Sequence, residues 1–203
     1  MLEHCTFDPA NPPEWLDSNW WRETPNCNHL DNRVHRLRLM CAAFTACTAA
    51  DIEETRSIVD LGAGDGGLLS LLPKDYCEVS YGYEIITDSV RYANDVRGVD
   101  VRQANVVVGL HQIALQPIAV MTEMLEHLAD PHMFLRRLSQ TGTIKSIVIS
   151  SPHSETPDYH EWNHAWVWDR EGYAKLVTDN GFEIVEHFDA EWSQIIHAKV
   201  AAR

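Results

Sequence analysis

The run Val59-Asp60-Leu61-Gly62-Ala63-Gly64-Asp65-Gly66-Gly67 constrains the fold more than any other stretch of this chain. It follows a short apolar segment, Ser57 to Leu61. It leads into Gly66 to Leu72, which reads as a helix closed by Pro73. A strand that turns through glycines into a helix exposes bare backbone amides where the helix begins. A ligand can approach them without meeting a Cβ. The run therefore predicts a ligand site at the carboxyl end of a strand.

Downstream, strands and helices alternate. Val79 to Glu84, Val99 to Ala104, Ile118 to Thr122 and Ile144 to Ser150 read as strands. Thr87 to Val96 reads as a helix capped by Thr87 or Asp88 and ended by Gly98. A second helix opens at Asp130-Pro131 and runs to about Leu138. A third is capped by Asp169 and ends at Asn180-Gly181. Phe182 to Phe188 and Gln194 to Ala201 read as a final antiparallel pair. This alternation predicts an α/β fold with a mostly parallel sheet and helices on both faces. Upstream, four prolines and Trp15, Trp20 and Trp21 predict an irregular arm with aromatic anchors. Leu30 to Thr48 has helical spacing, with Val34, Leu37, Met40 or Cys41, and Phe44 on one face. The expected division is therefore residues 1–50 as an arm and helix covering the site, and residues 51–203 as the ligand-binding domain.

Bulk properties exclude several classes. A length of 203 residues suits one core. No apolar run approaches the roughly 20 residues of a membrane span. The amino terminus lacks the basic-then-apolar pattern of a secretion signal. Five cysteines without a Cys-x-x-Cys pair fit reduced thiols and a cytoplasmic location. A formal charge of −14 disfavours RNA and other phosphate backbones as partners. Oligomeric state is not legible.

Three groups of residues carry chemistry. Glu84 ends the second strand, 18 residues after Gly66, where a carboxylate can accept both hydroxyls of a ribose. Gly62, Gly64 and Gly67 also satisfy the dinucleotide Gly-x-Gly-x-x-Gly, so spacing alone leaves a nicotinamide or flavin oxidoreductase open. The fourth strand runs into Glu123-Met124-Leu125-Glu126-His127. One helical turn would put both carboxylates and the imidazole on one face, fit for a divalent cation. Without a cation, His127 is a candidate base. The loop from Ser151 to Trp168 holds His153, His160 and His164 with Trp162, Trp166 and Trp168. These offer a base, ligands or stacking faces, or simply anchor the loop. His111, His187 and His197 lie away from the strand ends and receive no role.

Taken in order, Val59 to Gly66, Glu84, and Glu123 to Pro131 resemble the successive signature segments of class I S-adenosylmethionine-dependent methyltransferases. The likeness spans roughly residues 57–190. It implies a Rossmann-like, mostly parallel seven-stranded sheet with an antiparallel last strand. It assigns cofactor binding to Asp60, Gly62, Gly64, Gly66, Glu84 and Asn105, with Glu123 lining the pocket. Two subfamilies are similar. Met121 to His127, with Trp20-Trp21 and the arginines Arg33, Arg36 and Arg38, resembles the ubiquinone-biosynthesis O-methyltransferases, in which an arginine at this place contacts the cofactor carboxylate. Asn163 to Arg170 resembles the later segment of small-RNA 3′-end ribose 2′-O-methyltransferases. That likeness implies a Mg²⁺ or Mn²⁺ site of Glu123, Glu126, His127 and His164. Asn163 departs from it, replacing an acidic residue. The expected function is methyl transfer to the oxygen of a small hydroxylated acceptor, with His127 or His164 taking the proton. RNA ribose methylation, a nicotinamide-dependent oxidoreductase and a cofactor-binding pseudoenzyme are the alternatives.

Overall fold

The computed structural model describes residues 1–16, 21, 22, 30 and 32–202, with Val34 described by its backbone alone. In chain order the elements are β1 (Glu3–Cys5), α1 (Arg33–Ile52), β2 (Ile58–Leu61), α2 (Gly67–Leu71), α3 (Lys74–Cys77), β3 (Tyr81–Glu84) and α4 (Thr87–Tyr92). They continue with β4 (Val101–Gln103), α5 (Val106–Gly109), β5 (Ile118–Thr122), α6 (Pro131–Ser139), β6 (Ser146–Pro152), β7 (Trp166–Trp168), α7 (Arg170–Asp179), β8 (Phe182–Ala190) and β9 (Ser193–Val200).

Seven strands form one sheet in the order β4-β3-β2-β5-β6-β9-β8. Pairings are parallel from β4 to β6, and β9 runs antiparallel to both β6 and β8. This is the expected mostly parallel seven-stranded sheet. From β2 the chain moves outward to β3 and β4, then crosses to β5 and β6 on the other side. The carboxyl ends of β2 and β5 therefore flank the point where strand order reverses, and a crevice opens there.

α1 packs mainly through a face other than the one its spacing predicts, though Cys41, the alternative to Met40, does reach the core. Leu37, Met40 and Phe44 are 38%, 50% and 75% exposed, whereas Leu39, Ala42, Ala43, Ala46, Ala49 and Ala50 are buried. The alanines let the helix axis lie close to the sheet, against a cluster that includes Ile118, Val120 and Val148. Hydropathy weighs size and so favoured the larger residues. Close approach favours the small ones.

Several further boundaries differ from expectation. α4 begins without a side-chain cap. At Ala93 it widens into a π turn that runs to Arg97, and Gly98 ends it at φ +68°. The π turn brings Arg97 onto Asp65, with Nη2 2.5 Å from Oδ2. Asp130 and Asp169 cap α6 and α7 as expected, accepting from Met133 N and Gly172 N. The amino-terminal arm is not wholly irregular. β1 pairs antiparallel with β7, inside the segment that reads as a loop. Trp166 and Trp168 stack at 6.1 Å, and Trp168 is fully buried, so these two anchor the loop. Trp20 lies outside the described residues.

Candidate active site

The glycine turn is shaped by its neighbour strand as much as by its own helix. Gly62, Gly64 and Gly66 take φ of +81°, +53° and +75°, a region that penalises any side chain. Gly62 N and Ala63 N both donate to the carbonyl of Tyr83, at 2.9 and 3.0 Å. The turn crosses β3 so closely that a Cβ on Gly82 would lie 2.5 Å from that of Ala63. Gly66 stands at the back of the turn, where a Cβ would meet Val99 and Ala93 at 2.6 and 2.9 Å.

Glu84 closes this arrangement. Its Oε2 accepts from Gly64 N at 2.8 Å, and its Oε1 accepts from Ile85 N and Ile86 N at 2.6 and 2.8 Å. Burial pushes its carboxyl up and the three amides pull it back, leaving it raised. Both lone-pair sites of Oε1 are thus in use, and Oε2 keeps one for a hydroxyl donor. Asp60, at 1% exposure, is pushed up to about 7 by burial and then by Glu84. Its Oδ1 is buried without a partner among the described residues. A cation arriving here, such as an ammonium, would restore its charge.

Asp60, Gly62, Gly64, Glu84, Asn105 and Glu123 all line one cavity of about 430 Å³, together with Leu16, Trp21 and His127. Asn105 spends its Oδ1 capping α5, accepting from Val107 N and Val108 N, so the side chain presents Nδ2 as a donor. The turn and Glu84 thus share one cavity wall with His127.

Around His127, three of the four expected cation ligands converge. Glu126, His127 and His164 each place a donor atom within 4.8 Å of the others'. Glu123 is turned elsewhere. Its Oε1 accepts from Ser150 Oγ at 2.9 Å, and its Oε2 pairs with Arg38 Nη1 at 3.3 Å. The expected helical turn over Glu123 to His127 does not form. Glu123 adopts φ +50°, and the helical geometry is a 3₁₀ turn that starts at Leu125. A left-handed residue cannot continue a right-handed turn, so Glu123 does not join the cluster of Glu126, His127 and His164. It sits close enough to raise the Glu126 carboxyl further, after burial.

Glu126 is fully buried, and neither carboxylate oxygen has a hydrogen-bond partner among the described residues. His127 Nδ1 donates to the carbonyl of Asn163 at 2.9 Å, and His164 Nδ1 lies 2.7 Å from Glu155 Oε2. A carbonyl or carboxylate can only accept, so both Nδ1 atoms carry hydrogen, and in each neutral ring the lone pair sits on Nε2. The two rings meet edge to face at 4.8 Å, and Trp21 packs edge-on against His127 at 5.2 Å. Donors around one cation lie about 3–4 Å apart when each is roughly 2.0–2.3 Å from it. The donors here lie within 4.8 Å of one another, so a small inward shift would meet that spacing, and the buried Glu126 carboxylate has no competing partner among the described residues.

Sequence reading left Glu155 and Thr6 unremarked. Thr6 Oγ1 donates to the carbonyl of His164 at 2.6 Å, and Thr6 N donates to that of Ala165. No local pattern marks either residue, because each acts across a tertiary contact. Of the other loop histidines, His153 bonds the carbonyl of Glu191 through Nε2, and His160 keeps a buried Nδ1 without a partner among the described residues.

A family model described as a methyltransferase domain matches residues 33–187. The chain belongs to that family, and it is an S-adenosylmethionine-dependent methyltransferase. No curated protein matches it. Several solved structures share its fold. The methyltransferase domain of bacterial CtHen1 is 17% identical with a TM-score of 0.62, over 82% of this chain and 100% of that one. The N-methyltransferase NodS from Bradyrhizobium japonicum WM9, solved with S-adenosyl-L-homocysteine, is 13% identical with a TM-score of 0.68, over 93% of this chain and 98% of that one. The [4+2]-cyclase SpnF is 11% identical with a TM-score of 0.61, over 92% and 90%. At these identities the likeness shows the fold alone, a fold that two methyltransferases share with a cyclase.

Proposed function

We propose that the chain transfers a methyl group from S-adenosylmethionine to a hydroxyl oxygen of a small acceptor, with Glu126, His127 and His164 holding a divalent cation. The carrying observation is the fully buried Glu126 carboxylate, without a partner among the described residues, beside two imidazoles, one of which lines the cofactor cavity. Such a cation, Mg²⁺ or Mn²⁺, would lower the acceptor hydroxyl's pKa. Glu84 binds the ribose through Oε2, the glycine turn lies along the methionine part, and Asp60 faces the ammonium. Of Arg33, Arg36 and Arg38, only Arg38 is buried, against Glu123, so it is our candidate for the cofactor carboxylate. The cofactor's sulfonium is already activated, so the protein's task is to bring the acceptor in line and remove its proton. Leu16 and Trp21 wall the cavity from the arm side, which favours a compact acceptor.

S-adenosylhomocysteine should raise the melting temperature and NAD should not, since stabilisation follows binding to the folded state. Glu84→Ala should weaken cofactor binding by about 1–3 kcal/mol. Turnover should vanish with a chelator and return with Mn²⁺, and His164→Ala should lose cation affinity while keeping S-adenosylhomocysteine. Turnover indifferent to a chelator would remove the cation and leave His127 as the base. Ribose methylation of RNA is the second reading. Tyr159 and Trp162, 80% and 61% exposed on the His164 loop, favour it by offering stacking faces. Micromolar binding of single-stranded RNA at physiological salt would promote it over the small acceptor.

A further inference from the structure

We infer that Glu155 is a positioning residue: its carboxylate fixes the tautomer and ring orientation of His164, so that Nε2 faces Glu126 and His127 ready to ligate. The inference rests on the reading that these three residues hold a divalent cation.

Glu155 is held at both oxygens. Oε2 lies 2.7 Å from His164 Nδ1, and Oε1 accepts from the backbone N of Glu161 at 3.0 Å. Both side chains of the pair are nearly buried, at 10% and 11% exposure, so water competes weakly for the contact. His164 N donates to the carbonyl of Glu161. The segment from Glu155 to His164 is thus tied to itself at both ends of the pair. Thr6 holds the backbone of His164, and Glu155 holds its ring.

The ring has two nitrogens and only one should ligate. With no acceptor at Nδ1, His164 can rotate or exchange tautomer and present an N–H to Glu126. That contact would satisfy the Glu126 carboxylate internally and compete with a cation. Glu155 removes this alternative by accepting the Nδ1 hydrogen. Asn163 does the same for His127 through a backbone carbonyl, which no substitution deletes. Glu155 is therefore a side chain through which the orientation of a ligand histidine can be tested. A carboxylate behind an imidazole also makes the other nitrogen a stronger donor, and losing such a partner commonly costs about 10–100-fold in affinity.

The experiment titrates Mn²⁺ into the S-adenosylhomocysteine-loaded protein by calorimetry, and records the visible spectrum of the Co²⁺ form. Glu155→Gln keeps the size but turns a pure acceptor into a mixed group. It should weaken Mn²⁺ about 10–100-fold and alter the Co²⁺ bands while leaving S-adenosylhomocysteine affinity unchanged. Glu155→Asp, which keeps the charge, should recover part of the loss. Equal Mn²⁺ affinity in wild type and Glu155→Gln would overturn the inference and leave the cation reading standing. No Mn²⁺ binding by wild type would overturn both. Should Glu155→Gln lose S-adenosylhomocysteine binding through misfolding, nitrogen NMR of wild type decides instead. His164 must be found protonated at Nδ1, and an Nε2–H form would sink the inference.

Discussion

At the residue scale, the site is built from groups whose preferred state differs from their state in water. Asp60 is the plainest case. Its carboxyl, near 4 in an unfolded chain, is pushed up to about 7 by burial and by Glu84. Below pH 4 both states hold the proton. Between about 4 and 7 the native state keeps a proton that the unfolded chain releases, so stability must fall as pH rises through that window. Asp60→Asn should flatten this slope, removing on the order of a few kcal/mol of pH dependence. Urea melts at several pH values check it, and an unchanged slope would show that Asp60 ionises normally. Gly66 is a second case. Alanine there must accept φ +75° and contacts under 3 Å with Val99 and Ala93, costing about 2–4 kcal/mol. Circular dichroism melts should show the loss, together with weaker S-adenosylhomocysteine binding.

At the element scale, the amino-terminal strand supports the chemistry from a distance. β1 lies on β7, and Thr6 just beyond it bonds the His164 carbonyl. α7 leaves room for this strand only because residue 172 is glycine: a Cβ there would fall 1.9 Å from the Leu2 carbonyl oxygen. Gly172→Ala should therefore displace β1. Turnover should fall at least tenfold, by loosening His164, while S-adenosylhomocysteine affinity stays within about twofold. Parallel kinetic and binding assays separate the two, and equal losses in both would point to general unfolding. None of this was legible beforehand. A three-residue strand has no periodicity to detect, and Gly172 looks like any helix glycine until its neighbour is known. The long alternating elements β2 to β6 were legible because their β-branched runs and capping aspartates signal locally. α1 was legible as a helix but misoriented, since its packing face is written in alanines.

At the scale of the whole molecule, the two readings of the site differ in range. The glycine turn, Glu84 and the Glu126-His127 pair announced themselves in sequence because each is a short segment at a strand end. His164 was set apart from the other loop histidines only through resemblance. Glu155 and Arg38 needed the fold, which brings residues distant in sequence or on different elements to one place. The charge of −14 acts at this scale too. Any RNA association should weaken steeply with salt, and a salt-insensitive affinity would mean that phosphates are not its basis. The turn between β2 and α2 has a consequence for how ligand is met. Gly62, Ala63 and Gly64 have their amides already tied to β3, so the loop's shape is paid for during folding rather than at encounter. In deuterated solvent the amide protons of Gly62 and Ala63 should persist in the ligand-free protein nearly as long as those of the central strands, because releasing them requires parting β2 from β3. Capture of the cofactor then demands little ordering of the loop, and its entropy of binding should carry correspondingly little penalty.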